Sequence, residues 1–575
     1  MKMKAVICAG IMMLAGVLCA GSLPVYQVPV QVQCASPEAA AQAQLSILPL
    51  PEGKQVAFSC RWDDSNPRHL VMRKLLQKHG YRATFYLTET GRQGFWQEVM
   101  PSLCSEGFTV GNHTRSHLEL PLLTPNFIHN EILGWSIILE SRTQKPVNAF
   151  VLPYGKFSSP FFPEAARLIG DCIRRAGCLG GPDARPSMIR LCQFPEDEYF
   201  GTQLIQPGDR NTRPEKFDAD VARALKNPKR PVHLTLGIHA WHSDADLLKL
   251  EESLAKYAHR PDWWYCNENE YLAYNYMALH SRVVDKKVTG STAVFTLEIP
   301  CPELLGSDVP LWAECDGKKF PIPHVRKIPS AIGLAALNGK CAKFPGLIAK
   351  LTQPDKTHYR LELENTGDAL ENLLVTLRLP PDVQELTLYR QLPVVSGNQT
   401  VDWEVTPVPS ADASGRRMTA CQIDFTRKGV QGRIWTTIYE QVPSTPKATP
   451  VVQIRYTADA FSEEEQGKFA QAGAALPEKA FVLASQAPNY REGIYLVRLP
   501  KKMTPNDTLL AIMDFHGGRQ VRLRGEFPAK MLFNGQPVTA KANALTLDTS
   551  AAGGRLLLVY PPARRLPRQL VLMAE

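Results

Sequence analysis

From Val56 onward, short apolar runs alternate with longer stretches of helical periodicity. VAFSC predicts a strand. PRHLVMRKLLQKHG follows as a helix: Pro67 suits its first turn, Val71/Leu75 and Met72/Leu76 share a face, and Gly80 ends it. RATFYL reads as the next strand, FWQEVMPSLCSEG as a helix broken by Pro101, and FTVGNH as a third strand. LTPNFIHNEILGWSIILESRT predicts a long helix with Thr124 as its cap and Pro125 in its first turn. NAFVLPYG is a strand and FFPEAARLIGDCIRRAG a helix. KFDADVARALKN, VHLTLGIH, ADLLKLEESLAKYAH, WWYC and NENEYLAYNYMALH continue the alternation, beginning and ending on a helix. The strand runs lack two-residue alternation, which predicts a mostly parallel sheet covered by helices. About seven such units predict an α/β fold, a closed or nearly closed (β/α) barrel, with an open doubly wound sheet as the competing arrangement.

After about residue 285 the pattern changes to short alternating segments split by turns, such as STAVFTLEIP, HYRLELENTG, GRIWTTIYEQV and GRLLLVYPP. These predict an all-β half, two sandwiches joined near the Pro/Thr-rich VPSTPKATP. The expected organisation is a leader at 1–21, an irregular Pro/Gln/Ala-rich lead-in at 22–50, the barrel at 51–285, a sandwich at 286–445 and a second β-rich domain at 451–575. The segment from Ser462, SEEEQGKFAQAGAAL, reads as a helix with no evident place in this scheme.

Lys2 and Lys4 precede the apolar AVICAGIMMLAGVL, and small residues follow in CAGS, the pattern of a secretory signal cleaved near Ala20 or Gly21. The run is too short to span a membrane, and no second long apolar run follows. The mature chain is therefore expected to be soluble and exported, to a periplasm, a cell surface or the medium. Leu18, where a lipobox needs a small residue, argues against lipid on Cys19. At 44% hydrophobic and 21% charged the composition is globular. The net charge of +9 is modest, and no basic stripe with interleaved aromatics exists, which excludes nucleic acid as a partner. Of 13 cysteines, Cys8 and Cys19 lie in the leader, leaving an odd number and no CxxC pair for zinc. Cys172 and Cys178 are close enough in sequence for a local disulfide.

Active sites of parallel barrels lie at the C-terminal ends of the strands. There the polar residues gather: Asp63 and Asp64 after the first strand, His113 and His117 in GNHTRSH, Pro153 and Tyr154 in LPYG, His239 and His242 in GIHAWH. Adjacent carboxylates repel each other and call for a cation. His113 and His117, four apart, would share one face of a helical turn and chelate a metal. Two imidazoles and a carboxylate suit zinc, cobalt, nickel or iron. One Asp would bind the ion and the other accept a proton from the attacking water. Taken alone, HxxxH is commonly a solvated helix face, and DD and LPYG are ordinary turns. Their joint order at four strand ends is what gives them meaning. Taken from the residues alone, His242, His129, His233 and His259 read as surface or packing residues.

In that order, WDDS, HTRSH, VLPYG and GIH resemble the polysaccharide deacetylase family, the NodB-homology carbohydrate esterases, over roughly residues 52–280. The resemblance implies that Asp63 is the general base and that Asp64, His113 and His117 hold one divalent metal, zinc first. It implies that the Tyr154 N–H helps hold the oxyanion and that His239 is the general acid. Pro153, Trp241 and His242 would line the substrate. The implied substrate is an acetylated glycan, losing N-acetyl or O-acetyl groups as acetate. Two departures stand out. Val151 occupies the place of the family arginine that braces the base, so another donor is expected there, Arg61 or Arg115. Gly237 stands where the family has Leu. The aspartate that orients the late histidine is not recognisable, with Glu196, Asp197 and Asp209 as candidates. A non-catalytic glycan-binding or cell-surface protein with a decayed domain is the competing reading, motivated by Val151. Hydrolysis of another C–N bond, as in cyclic amides, is disfavoured by the leader and the β half. Trp312, Trp403, Trp435 and Tyr495 are candidates for stacking on sugar, with core packing the expected role. Every candidate catalytic residue precedes residue 285, so the barrel is expected to work without the β half.

Overall fold

The computed structural model describes residues 23–442 except 90–94, 96–98, 160, 181–201, 209–210, 227–230, 324–327, 335–343, 345 and 410–414. Beyond these it describes 451–453, 484–485, 491, 494–498, 509–516, 520–525, 527–528, 530–549, 553–560 and 569–574. The chain divides into two compact units. One runs to residue 442 without 122–124 and 159–162; the other comprises those two stretches and residues from 443 on.

The strand Val56–Trp62 is buried along its whole length, which is why its sequence does not alternate. It pairs in parallel with Ala83–Leu87, Val232–Leu236 and, at its start, Trp263–Tyr265. Phe108–Asn112 adds outside Ala83–Leu87, and Thr202–Ile205 outside Val232–Leu236. Isolated parallel bridges carry the sheet on from Asn112 to Phe150 and from Ala149 to Gly180. The parallel sheet is thus present; a closed ring of strands is not seen among the described residues. Phe58, Phe85, Leu234 and Leu236 pack with Met72, Leu76, Leu250 and Leu254 of the covering helices. Helix Asp244–Tyr257 is started by Ser243, whose Oγ accepts from the Asp246 N–H at 3.1 Å. Helix Glu268–His280 carries a capping box between Asn267 and Glu270. The long helix expected after Thr124 is interrupted by a π-turn at Asn130–Gly134, between α-helical Pro125–His129 and Trp135–Thr143.

Residues 22–50 are not an irregular lead-in. Val25–Gln33 is a strand with alternate residues buried, antiparallel to Thr292–Pro300 from Val25↔Pro300 to Gln33↔Thr292. Its Pro and Gln content hides a clean two-residue period, and its partner lies far along the chain. Pro37–Gln42 is a short helix capped by Ser36, and Ser46–Ile47 pairs with Leu311–Cys315. The strand Arg282–Thr289 crosses the expected boundary at 285 and pairs with Thr292–Pro300.

Two sheets then face one core. Ala331–Leu334, Val430–Val442, Gly415–Arg427, Leu370–Arg378 and Thr387–Val395 form one sheet, and Leu347–Asp355, His358–Asn365 and Gln399–Glu404 the other. Leu361, Leu363, Val375, Trp403, Ile423 and Phe425 fill the space between them. In the second unit the described strands form two five-stranded antiparallel sheets. The segment from Ser462 lies outside the described residues. Cys172 and Cys178 are buried free thiols, not a disulfide.

Candidate functional site

The strand Val56–Trp62 delivers three of the site's charged groups. Arg61 and Asp63, two apart on extended backbone, project to the same side. The Arg61 Nε–H donates to Asp63 Oδ1 at 3.2 Å while Nη2 engages Oδ2, and both side chains are buried. The Asp63 N–H donates to the Ile238 carbonyl, and Asp63 forms a bridge with His239, tying this strand end to the late one. Asp64 takes a left-handed conformation, φ 67°, which turns its carboxylate away from that of Asp63. Its Oδ1 lies 3.2 Å from His117 Nε2 and 3.6 Å from His113 Nε2, and its Oδ2 lies 3.8 Å from His239 Nε2.

The two histidines are not on a helix. His113 to His117 is a loop in which Thr114 (φ 60°) and His117 (φ 53°) are left-handed. Asn112 Oδ1 accepts from the Thr114 N–H at 2.8 Å, and Thr114 Oγ1 accepts from the His117 N–H at 3.1 Å. Glu131 accepts from the Ser116 N–H and hydroxyl, at 2.7 and 2.9 Å. These side-chain bonds compete with helical ones and win. The rings still meet edge to face, 4.8 Å apart.

His113 Nδ1 lies 2.9 Å from the Val151 carbonyl. That acceptor fixes the proton on Nδ1 and leaves the Nε2 lone pair facing Asp64. Burial lowers the His113 pKa, favouring the neutral, ligating ring. Burial pushes the Asp64 carboxyl up, but the His117 hydrogen bond and the neighbouring imidazoles hold it down to about 2, so it is an anion. One ligand atom each from Asp64, His113 and His117 lies within 4.8 Å of the others, the metal-sized group found among the described residues. Two imidazole nitrogens and a carboxylate oxygen fit a divalent cation of the zinc type.

Around this group stand the other positions. The His239 ring stacks on Trp241, 3.9 Å away and 4° from parallel. Tyr154 is left-handed at φ 58°, its ring 4.6 Å from that of His117 and largely exposed. Pro153 is buried, and His242 is buried edge-on against Trp62, so these two pack the interior instead of offering a surface to substrate. Glu196, Asp197 and Asp209 lie outside the described residues. Trp403 and Trp435 are core residues and Trp312 is half-buried, while the Tyr495 side chain is outside the described set.

The two departures from the family motif have local explanations. Val151 is buried and contributes its carbonyl to His113; the brace on Asp63 comes from Arg61. Arg115 is engaged instead with Glu89. Gly237 is left-handed at φ 99°, and a Cβ there would meet the Trp62 ring at 2.6 Å and the Arg61 carbonyl at 2.7 Å. Trp62 fills the space a Leu side chain needs.

One residue escaped the sequence reading. Glu268, at the start of the last covering helix, is wholly buried and accepts from Tyr86, Thr235 and Ser59 hydroxyls. The Arg61 guanidinium lies 5.6 Å from the centroid of the same Tyr86 ring. Burial pushes the Glu268 carboxyl up to about 7, against the pull of Arg61. In NENEYLAYN it looks like an ordinary acidic residue of a helix first turn, so no local signal marks it.

Residues 59–169 match the family model for polysaccharide deacetylase, and a domain of that hydrolytic, metal-dependent family is present in the chain. No curated protein matches. Among solved structures, the chain is similar to the CE4 domain of a multidomain xylanase from the hindgut metagenome of Trinervitermes trinervoides. The identity is 15%, over 35% of this chain and 80% of that one, with TM-score 0.24. A polysaccharide deacetylase from Bacillus cereus is 18% identical over 37% of this chain and 92% of its own, with TM-score 0.26. A CE4 family pseudoenzyme from Bacillus anthracis is 18% identical over 36% and 61%, with TM-score 0.23.

Proposed function

We propose that the chain is an exported, metal-dependent deacetylase that hydrolyses N-acetyl or O-acetyl groups on a glycan. The observation that carries this reading is the meeting of Asp64, His113 and His117 beside an Asp63 braced by Arg61, with His239 close by. Asp64, His113 and His117 would hold one divalent cation, zinc by donor preference, which when bound polarises the acyl carbonyl and acidifies water. Asp63 lies off that group and takes the proton of the attacking water. Its carboxylate is held in one orientation by Arg61, which leaves it no freedom to swing onto the cation. As water adds to the acyl carbon, the Tyr154 N–H, presented by its left-handed turn, donates to the oxygen that gains charge. His239 gives its proton to the leaving nitrogen, because an amide nitrogen departs only when protonated. The C–N bond breaks, leaving acetate and a free amino sugar; an acetyl ester leaves an alcohol.

The leader-like pattern at 1–21 supports an activity outside the cytoplasm, with the parallel-sheet domain at 51–285 as its seat and the β-rich domains as attachments. The competing reading, a decayed binding domain, rests on Val151; the Arg61 brace weighs against it. Acetate release from chitin oligomers, peptidoglycan, acetylated xylan and host-type glycans, with metal analysis of the purified protein, tests the proposal. Release from at least one, abolished by chelation, is expected. Bound metal without acetate release from any of them would sink it.

A further inference from the structure

The parallel sheet has two unlike faces. Phe58, Trp62, Phe85, Leu234 and Leu236 pack into the apolar core with the covering helices. The residues that alternate with them are Ser59, Arg61 and Asp63 on the first strand, Thr84 and Tyr86 on the second, and His233 and Thr235 on the late one, all buried. A buried polar face costs stability unless its groups are hydrogen-bonded. Here the bonds converge on Glu268. The hydroxyls of Tyr86 and Thr235 donate to its carboxylate, as does that of Ser59 at 3.3 Å, and its N–H donates to Thr84 Oγ1 at 3.0 Å. Because the Ser59 proton goes to Glu268, Ser59 Oγ accepts from His233 Nε2, 2.9 Å away. Tyr86 is the member of this cluster that meets Arg61, whose guanidinium lies 5.6 Å from the ring centroid. The ring is closely fitted. Gly111 is its neighbour on the next strand, and a Cβ there would stand 2.5 Å from two of the ring carbons.

We propose that Glu268 is a positioning residue for the reaction: it anchors the Tyr86 hydroxyl, the Tyr86 ring backs the Arg61 guanidinium, and Arg61 holds Asp63 to the attacking water. This rests on the deacetylase reading and adds to it the support of the base. Arg61 gives Asp63 two donors, Nε–H and Nη2–H, a fork that fits the carboxylate in one plane only. A long side chain keeps one plane where something stops it from turning. The Tyr86 ring does this for Arg61, and the ring is itself fixed by the close approach of Gly111 and by Glu268 at its hydroxyl. Val151 has no side-chain donor to offer in place of the family arginine, so Arg61 carries the brace. The two oxygens of Glu268 accept from three hydroxyls. A glutamine has one oxygen, so Glu268→Gln turns an amide nitrogen toward at least one of them.

The test compares Glu268→Gln and Tyr86→Phe with Tyr81→Phe, all in the full-length protein. Tyr81→Phe removes a buried hydroxyl that donates to the Leu254 carbonyl at 2.9 Å on the apolar side of the sheet. On an acetylated oligosaccharide from which the unaltered protein releases acetate, kcat should fall about tenfold in the first two, the scale of one hydrogen bond to a charged group. KM and metal content should stay as they are. Both changes in one chain should cost no more than either alone, because they break the same bond. Tyr81→Phe should lose stability and keep its kcat. Unchanged kcat in Tyr86→Phe, an equal loss in Tyr81→Phe, or turnover lost together with metal overturns the proposal. Tyr86→Phe keeps the ring and carries the test if Glu268→Gln does not fold. Crystal structures of the variants read the same point without turnover. The Arg61–Asp63 pair should be broken or split between two arrangements in Tyr86→Phe, and whole in Tyr81→Phe. If the unaltered protein releases no acetate from any glycan, the deacetylase reading fails by itself. The crystal structures then decide: a displaced Arg61 upholds the positioning, and an unmoved one overturns it.

Discussion

Asp63 and Asp64 are neighbours with opposite assignments, and the left-handed φ of Asp64 is what separates them. Asp64→Ala should lose metal and activity together. Asp63→Asn should keep the metal and lose turnover by ~10²–10⁴, because an amide cannot take up the proton. Metal analysis beside acetate release checks both; equal metal loss would make Asp63 a ligand. Arg61→Ala tests the brace. It leaves a buried carboxylate unpaired, so stability should fall by about 3–5 kcal/mol and turnover should drop, with metal content kept. Denaturant unfolding and metal analysis measure this, and a variant of unchanged stability would show that Asp63 has another partner. The Asp-Asp pair and its histidines were legible in the sequence, because ligand chemistry restricts the residue types. That Arg61, and not Arg115, serves Asp63 was not, since both are near in sequence and only the side-chain direction separates them.

At the scale of elements, the strand ends were legible and the loops were not. His113 and His117 meet through a turn built by Asn112, Thr114 and Glu131, where a helix is the simpler expectation from a spacing of four. Gly237, just past the late strand Val232–Leu236, has no room for a side chain because Trp62 occupies the space beside it. Gly237→Leu should therefore cost about 1–3 kcal/mol from crowding alone, with the left-handed backbone adding to it. A melt showing no loss of stability would mean that Trp62 can move aside. The buried histidines of these elements set the acid response. Burial holds His129 and His233 down to about 3, from an ordinary 6.5. Below 6.5 the unfolded chain binds protons that the folded chain refuses, so stability is lost as pH falls from 6.5 toward 3. Glu268, held up near 7 from 4.5, acts in the opposite sense between those values, as do Glu131 and Glu270, which burial also raises. Removing one lowered histidine removes its share of the acid sensitivity, so between pH 6.5 and 4.5 the denaturation midpoint of His129→Leu should change in a less destabilising direction than that of the unaltered chain. An identical pH dependence in the two contradicts it.

At the scale of the whole molecule, the parallel-sheet domain and the first sandwich belong to one compact unit. A chain ending at residue 285 keeps every candidate catalytic residue but loses Thr292–Pro300, the partner of Val25–Gln33, and Arg433, the partner of buried Glu140. An exposed strand edge and an uncompensated buried charge are both costly. Such a chain should aggregate, and one ending at residue 442 should stay monodisperse. Light scattering of the two compares them directly, and a well-behaved 285-residue chain would show that these contacts are dispensable. These contacts weigh against the expectation that the barrel works without the β half.

By itself the sequence determined the alternation of strands and helices, the change to an all-β half, and the order of Asp63, Asp64, His113, His117 and His239 at strand ends. These follow from main-chain periodicity and from the few residue types able to bind a metal or move a proton, both of which are local. Only the tertiary structure decided that the N-terminal residues complete a sheet with residues 292–300 and that Glu268 is buried against the hydroxyls of Tyr86, Thr235 and Ser59. Each depends on contacts between residues far apart in the chain, 293 positions in the case of Glu140 and Arg433, and no local pattern encodes a partner at that distance.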